Sequence, residues 1–261
     1  MSDMTTTAGR LLEATAARKP KRPQVVADRL RDRILDHGLT PGDRLPAEWL
    51  LPEALGVSRG TFREAMKILE TQGLVASKTG PGGGVFISRI EPTEAARFVR
   101  NLFLFDQPSI ANIYALRKVL EPELAATAAQ DLEPAAFAEL QTTIRLYEDE
   151  PQSVEQEYQQ RLAELEFHAV LAANSDNHLL GFVCGFLVRL LQDMAVCRDI
   201  YTKPNPELRE TGLSYQVRLL RAIKAGDAAR ARTLMRDHMA EAEAYMLARA
   251  EIRHHRTTDT A

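Results

Sequence analysis

A chain of 261 residues that is 45% apolar and 26% charged, with 14 glycines and 13 prolines, is long enough for two cores and too hydrophobic for a fibre or a wholly disordered polypeptide. Its formal charge of -3 conceals an asymmetry, because residues 1–90 carry 14 Lys and Arg against 10 Asp and Glu whereas 91–261 carry 19 against 26. No apolar run approaches the ~18 residues of a membrane span, and the opening MSDMTTTAGRLL lacks the charged-then-apolar order of a secretory signal, so a cytoplasmic protein without a membrane partner is expected.

In chain order, residues 1–22 show no apolar periodicity and end in RKPKRP, which reads as a flexible basic arm. Residues 23–90 read as one domain. Val26, Leu30 and Ile34 recur every fourth residue from Gln24, predicting a helix that stops near Gly38. LTPGDRLP is a turn, and Pro46 opens a short second helix through Leu55. After the tight Leu55-Gly56-Val57 turn, Ser58 suits the N-cap of a third helix with Phe62, Met66 and Leu69 on one face. Arg59, Thr61, Arg63 and Lys67 fall on its other faces, so its exposed amino-terminal side is cationic and polar. Leu74–Ser77 and Val85–Ser88 are short runs of strand formers joined by KTGPGGG, whose glycines let backbone come near a phosphate and whose Lys78 adds charge. Three helices followed by a glycine-tipped hairpin predict a winged helix-turn-helix.

From 91 to 252 every strong pattern has helical period, predicting an all-α bundle of six to seven helices over about 92–104, 109–129, 134–149, 153–174, 177–199, 207–225 and 227–250. Pro122 falls inside the second of these and predicts a kink rather than a break, because apolar spacing resumes at Leu124. Cys184 and Cys197 have no metal-like spacing and read as buried thiols. Residues 253–261 read as a disordered tail.

LTPGDRLPAEWLLPEALGVSRGTFREAMKILETQGLVASKTGPGGGVFI closely resembles the winged helix of GntR-type regulators, whose pattern runs P-G-x-x-L-P-S-E-x-x-L-A-x-x-L-G-V-S-R-x-P-V-R-E-A-L before a Gly-rich wing. In the second half, Arg117 with Glu121, the E-F-H ending at His168, the Ala222-Ile223 and Gly226-Asp227 pairs, and His238 resemble the helical FCD-type effector domain of the FadR-like subgroup. The resemblance implies that the third helix enters the major groove, where an arginine can bond both acceptors of a guanine. Arg59 and Arg63 are then the candidates for base or phosphate contact. Ser58 and Thr61 reach phosphate, Gly60 admits close backbone, Lys67 and Lys78 add charge, and Gly80 neighbours the minor groove. Trp49 stands where the family commonly has a DNA-gripping arginine, so it either stacks on backbone sugars or packs as a core residue.

For the effector domain the resemblance implies a metal held by an Asp and a His four apart on one helix plus two more histidines. The matching positions are Glu164, His168, Gln216 and His238, so Glu replaces Asp and the weaker neutral donor Gln216 replaces one imidazole. A divalent transition metal such as Zn or Ni on Glu164, His168 and His238, with Gln216 as weak fourth ligand, stands beside a metal-free polar pocket as the expectation. Arg117 is expected to clamp the effector's carboxylate, with a salt bridge to Glu121 as the competing account. Gln216 and Asn177 are further effector candidates, although Asn177 equally suits a helix cap. The function implied is that of an effector-responsive repressor, acting as a homodimer on a palindromic double-stranded operator and released by a small carboxylate. A metal-free regulator sensing an acyl-CoA thioester is one alternative. A metal-dependent enzyme with Glu164 as base is the other, disfavoured because enzymes seldom carry a complete DNA-reading module, and no catalytic residue is assigned.

Overall fold

The structure, a computed structural model, describes residues 21–146, 148–201 and 206–258, with backbone alone at 206–208 and 252–258. The expected arm therefore lies outside the described residues except at its last two positions. Contacts divide the chain into two compact units, one ending at Ala95 and the other beginning at Ala96.

The first unit opens with α1 (Arg22–Asp36), which starts two residues earlier than its apolar spacing predicts because Pro23 suits a helix's first turn. Its buried face is Val26, Ala27, Leu30 and Ile34. The single short helix expected from Pro46 to Leu55 is instead two 3-10 turns, Ala47–Leu50 and Pro52–Leu55. The cause is Pro52, which stands where the family pattern has Ala. It holds Leu51 extended (φ -91°, ψ 118°) and so interrupts the helical ladder between the turns. Next comes α2 (Arg59–Thr71), which buries Ala65, Met66 and Leu69. Strands β1 (Val75–Lys78) and β2 (Gly84–Ile87) then pair antiparallel, with Val75 opposite Ile87 and Lys78 opposite Gly84. Between them Gly80 (φ 92°) and Gly82 (φ 75°) adopt positive φ, which a side chain would resist. Leu30, Leu45, Trp49, Leu69 and Val75 belong to the small core under these elements.

In the second unit α3 (Pro92–Arg100) crosses the division and leads through a 3-10 turn, Asn101–Phe103, to α4 (Ile110–Asp131). Ser109 and Asn112 cap α4 reciprocally, and the helix continues through Pro122. Then follow α5 (Pro134–Arg145), α6 (Val154–Ala173), α7 (His178–Asp193), α8 (Ala195–Tyr201), α9 (Pro206–Lys224) and α10 (Ala228–Thr258).

Two of these differ from expectation. The predicted 177–199 helix breaks at Met194, which is extended (φ -73°, ψ 123°), and α7 and α8 meet at 73°. No Pro or Gly marks the break; the turn lets α8 bury Cys197, Ile200 and Tyr201. At the carboxyl end α10 continues to Thr258, so the tail expected from 253 is helical at 253–258, a stretch with no Gly or Pro to stop it, while 259–261 lie outside the described residues.

Helix α10 lies along α4 and α9, and α6 packs against α7. The core among them is mostly aliphatic, with Phe167 and Leu191 fully enclosed, each such side chain contributing about 1.5–3 kcal/mol by burial. Among the described residues no single helix is long and apolar enough to cross a membrane.

Candidate DNA interface and effector cavity

In the first unit the cations expected to meet DNA stand out in solvent. Ser58 Oγ accepts a hydrogen bond from the Thr61 backbone N–H at 3.2 Å, fixing the start of α2 and with it the direction in which Arg59 and Arg63 leave the surface. Ser58, Arg59, Gly60, Arg63, Lys67, Lys78 and Gly80 are exposed, and Thr61 is half-buried. The ion pairs of this unit among the described residues belong to Arg31, with Asp28 and Asp32, so none of the expected DNA-contacting cations is neutralised. Ser77 donates to Glu70, tying β1 to α2 so that wing and helix keep a fixed relation. Trp49 is buried at 3% exposure, with the His37 ring edge-on at 4.7 Å and the Arg33 guanidinium carbon 4.2 Å from its ring centroid. Of the two roles open to it, the structure places it in packing.

The second unit contains a cavity of about 20 Å³ bordered by Tyr114, Arg117, Arg161, Glu164, His168 and His238, with the methionines 239 and 246 among its apolar walls. Arg117, 1% exposed, donates through Nε to Glu121, while its Nη2 is buried without a hydrogen-bond partner. Burial pushes the Glu121 carboxyl up, but Arg117 and His168 outweigh it and hold it down at about 2. Burial likewise presses on the Arg117 guanidinium, and Glu121 more than restores it, leaving it raised. The competing account of Arg117 therefore describes its Nε, and the carboxylate-clamping expectation concerns its remaining face. Burial holds the Tyr114 and Tyr201 phenols above their ordinary value, and pushes the Cys184 and Cys197 thiols up to about 12.

Behind the cavity, Glu121 Oε2 lies 2.6 Å from His168 Nδ1, and His168 Nε2 faces His238 Nε2 at 3.3 Å. The Glu121 carboxylate thus holds the His168 ring from its Nδ1 side, with Nε2 turned to the neighbouring ring. Burial, reinforced by His168 and Arg117, drives the His238 imidazole down to about 3, so it is neutral at pH 7. Glu164 does not join them. Its carboxylate accepts from Arg161 Nη1 at 2.8 Å, and Arg161 also pairs with Glu157 at 3.4 Å. Among the described residues no three His, Cys, Asp or Glu side chains group so as to hold a metal. Gln216 donates from Nε2 to the Glu164 carbonyl at 3.0 Å and keeps Oε1 buried without a partner. His168, held from behind by a carboxylate, and His238 are nitrogen donors of the kind a borderline divalent metal takes, and Gln216 carries a buried unpartnered oxygen, whereas Glu164 is engaged by Arg161.

Asn177 is not brought to the cavity: it is exposed, and its Oδ1 accepts from the Leu180 N–H at 3.1 Å to cap α7. Arg161 was missed in the sequence. The available signal was the 157, 161, 164, 168 spacing, which lines one face of α6.

A winged helix with unneutralised cations on its recognition helix and wing, accompanied by a helical unit with a polar cavity, defines a ligand-responsive DNA-binding regulator. Residues 23–87 match the family described as bacterial regulatory proteins, gntR family, and residues 112–241 match the FCD domain. The chain is 31% identical over 220 residues to the putative L-lactate dehydrogenase operon regulatory protein of Escherichia coli (strain K12), covering 82% of each. It is 28% identical over 207 residues to the HTH-type transcriptional regulator LutR of Bacillus subtilis (strain 168), covering 78% of this chain and 92% of that one. With the HTH-type transcriptional repressor NanR of Salmonella newport (strain SL254) it shares 27% over 246 residues, 91% and 90% of the two chains. A solved structure, Streptococcus agalactiae GntR, superimposes with a TM-score of 0.62 at 22% identity over 85% of this chain and 99% of that one, a likeness of fold. The chain belongs to the GntR family of transcription regulators and carries an FCD domain.

Proposed function

We propose that the protein is a cytoplasmic homodimeric repressor of a palindromic operator, released when a small carboxylate enters the cavity of the second unit. The observation that carries the carboxylate is Arg117, whose buried Nη2 has no partner beside that cavity. An unsatisfied buried donor costs about 1–3 kcal/mol, more when charged, and a ligand carboxylate would recover it. The relatives support the rest: one is a putative L-lactate dehydrogenase operon regulatory protein, another a transcriptional repressor. Ser58, Arg59, Gly60, Thr61, Arg63, Lys67, Lys78 and Gly80 then meet the operator. Leu116 and Val119, exposed at 51% and 68% on one side of α4, offer apolar surface for a second copy.

A Zn or Ni ion would be held by His168 and His238 with Gln216 Oε1, and would supply positive charge to a bound carboxylate. Glu121 orients His168, and Arg117 Nη2 would donate to the acid's carboxylate. The test is a thermal-shift panel of small hydroxy, keto and dicarboxylic acids on wild type and Arg117→Met, followed by operator release, with metal analysis of protein purified without chelator and of His168→Ala. At least one acid should stabilise wild type, leave Arg117→Met unmoved and free the DNA. Stabilisation and release by an acyl thioester, with every acid silent, would overturn the reading.

A further inference from the structure

The segment before the first 3-10 turn joins the wing through an isolated β-bridge. Arg44 bridges to Phe86, the Leu45 N–H donates to the Val85 carbonyl at 2.8 Å, and the Ile87 N–H donates to the Asp43 carbonyl at 2.8 Å. Position 44 is thereby fixed by backbone bonds on either side of it. Its guanidinium does not extend freely but lies on Gly84, where a Cβ would stand 2.6 Å from Nε and 3.1 Å from Nη2. Gly84, at φ 154°, is the residue opposite Lys78 in the hairpin register. Cross-strand partners project from the same face of a sheet, so the face that Arg44 covers at Gly84 is the face from which Lys78 projects.

Two cations thus share one face at the end of the wing, both exposed, and the ion pairs of this unit among the described residues involve neither. Like charges side by side are unfavourable in an isolated sheet and become favourable against a polyanion. We infer that Arg44 and Lys78 form a two-cation grip on a backbone phosphate of duplex DNA, with Gly84 the bare backbone over which Arg44 reaches. Arg44 thus acts as a DNA-positioning residue outside the recognition helix, an inference that rests on the DNA-binding assignment.

The experiment is a salt titration of binding to a mixed-sequence duplex and to a fragment of the protein's own promoter, for wild type, Arg44→Ala, Arg44→Lys and Arg31→Ala. Each phosphate contact contributes about 0.9 to the slope of log affinity against log salt, so Arg44→Ala should lower the slope by about that much. It should also weaken both duplexes by the same factor, about five- to tenfold at low salt. Arg44→Lys should retain most of the slope, and Arg31→Ala, ion-paired to Asp28 at 3.2 Å, should leave it unchanged. An unaltered slope in Arg44→Ala overturns the inference, as does a loss confined to the promoter fragment, which would mark base reading. Equal losses of affinity in Arg44→Ala and Arg44→Lys with the slope kept would make Arg44 a packing residue and overturn it too. If wild type itself forms no salt-sensitive complex, the DNA-binding reading fails with it.

Discussion

The two units use arginine in opposite ways. In the first, Arg59 and Arg63 are exposed on a helix start rigidified by the Ser58 cap, with no counter-ion among the described residues, so their charge is available to a partner and their removal disturbs no internal balance. In the second, Arg117 and Arg161 are 1% and 3% exposed and each is paired with a carboxylate, so their charge is already part of the fold and only what remains unpaired, such as Arg117 Nη2, can serve a ligand. The difference teaches that a cation's role here follows from its desolvation: an exposed one steers and grips, a buried one must hold structure before it can recognise anything.

The largest expected effect tests the buried half of that contrast. Arg117→Ala leaves the Glu121 carboxylate buried beside His168 without its guanidinium partner, and removing one member of a buried pair costs about 3–5 kcal/mol. Urea unfolding should show that loss in the second unit, whereas a change of a few tenths would mean that the pair contributes no structure. Arg59→Ala tests the exposed half. It should weaken operator binding by about 1–3 kcal/mol and relax selectivity at one base pair, while leaving unfolding within about 0.5 kcal/mol of wild type. Unchanged footprinting selectivity would remove Arg59 from the interface. A further effect concerns protons and grows with acidity. His238 is depressed from 6.5 to about 3, so between these values the unfolded chain binds a proton that the folded chain refuses. Stability is therefore fully present above pH 6.5 and falls as pH drops toward 3, by at most about 1.4 kcal/mol per pH unit. Glu121, depressed from 4.5 to about 2, adds a second loss below pH 4.5. Denaturation curves from pH 7 to 4 should show the first decline, and His238→Gln should flatten it; a wild-type profile level over that range contradicts a buried neutral His238.

Much of the DNA-binding unit was legible because its signals are local. Ser58 caps because a hydroxyl placed before a helix meets the free N–H groups of its first turn, and the wing turns where glycines permit positive φ. Even there Pro52 was read past, since a short apolar pattern fits one helix or two 3-10 turns equally well until the missing donor is counted. The cavity was less legible. That Gln216 would give its amide to the Glu164 carbonyl depends on a neighbour from another helix, whereas the Glu164–Arg161 pair and the Asn177 cap are local contacts that the spacing allowed without singling them out.

By itself the order of residues determined the winged helix, the helical character of everything after it, and the families to which both halves belong, because caps, turns and apolar period act over a few residues. Tertiary packing decided which polar groups meet across helices. The Glu121, His168 and His238 chain joins α4, α6 and α10, positions 47 and 70 residues apart, and Arg44 reaches Gly84 only once the turn before the 3-10 segment has paired with the wing. Partners so distant in sequence are chosen by the cost of leaving a buried polar group unpaired, a quantity that exists only after the core has closed around it.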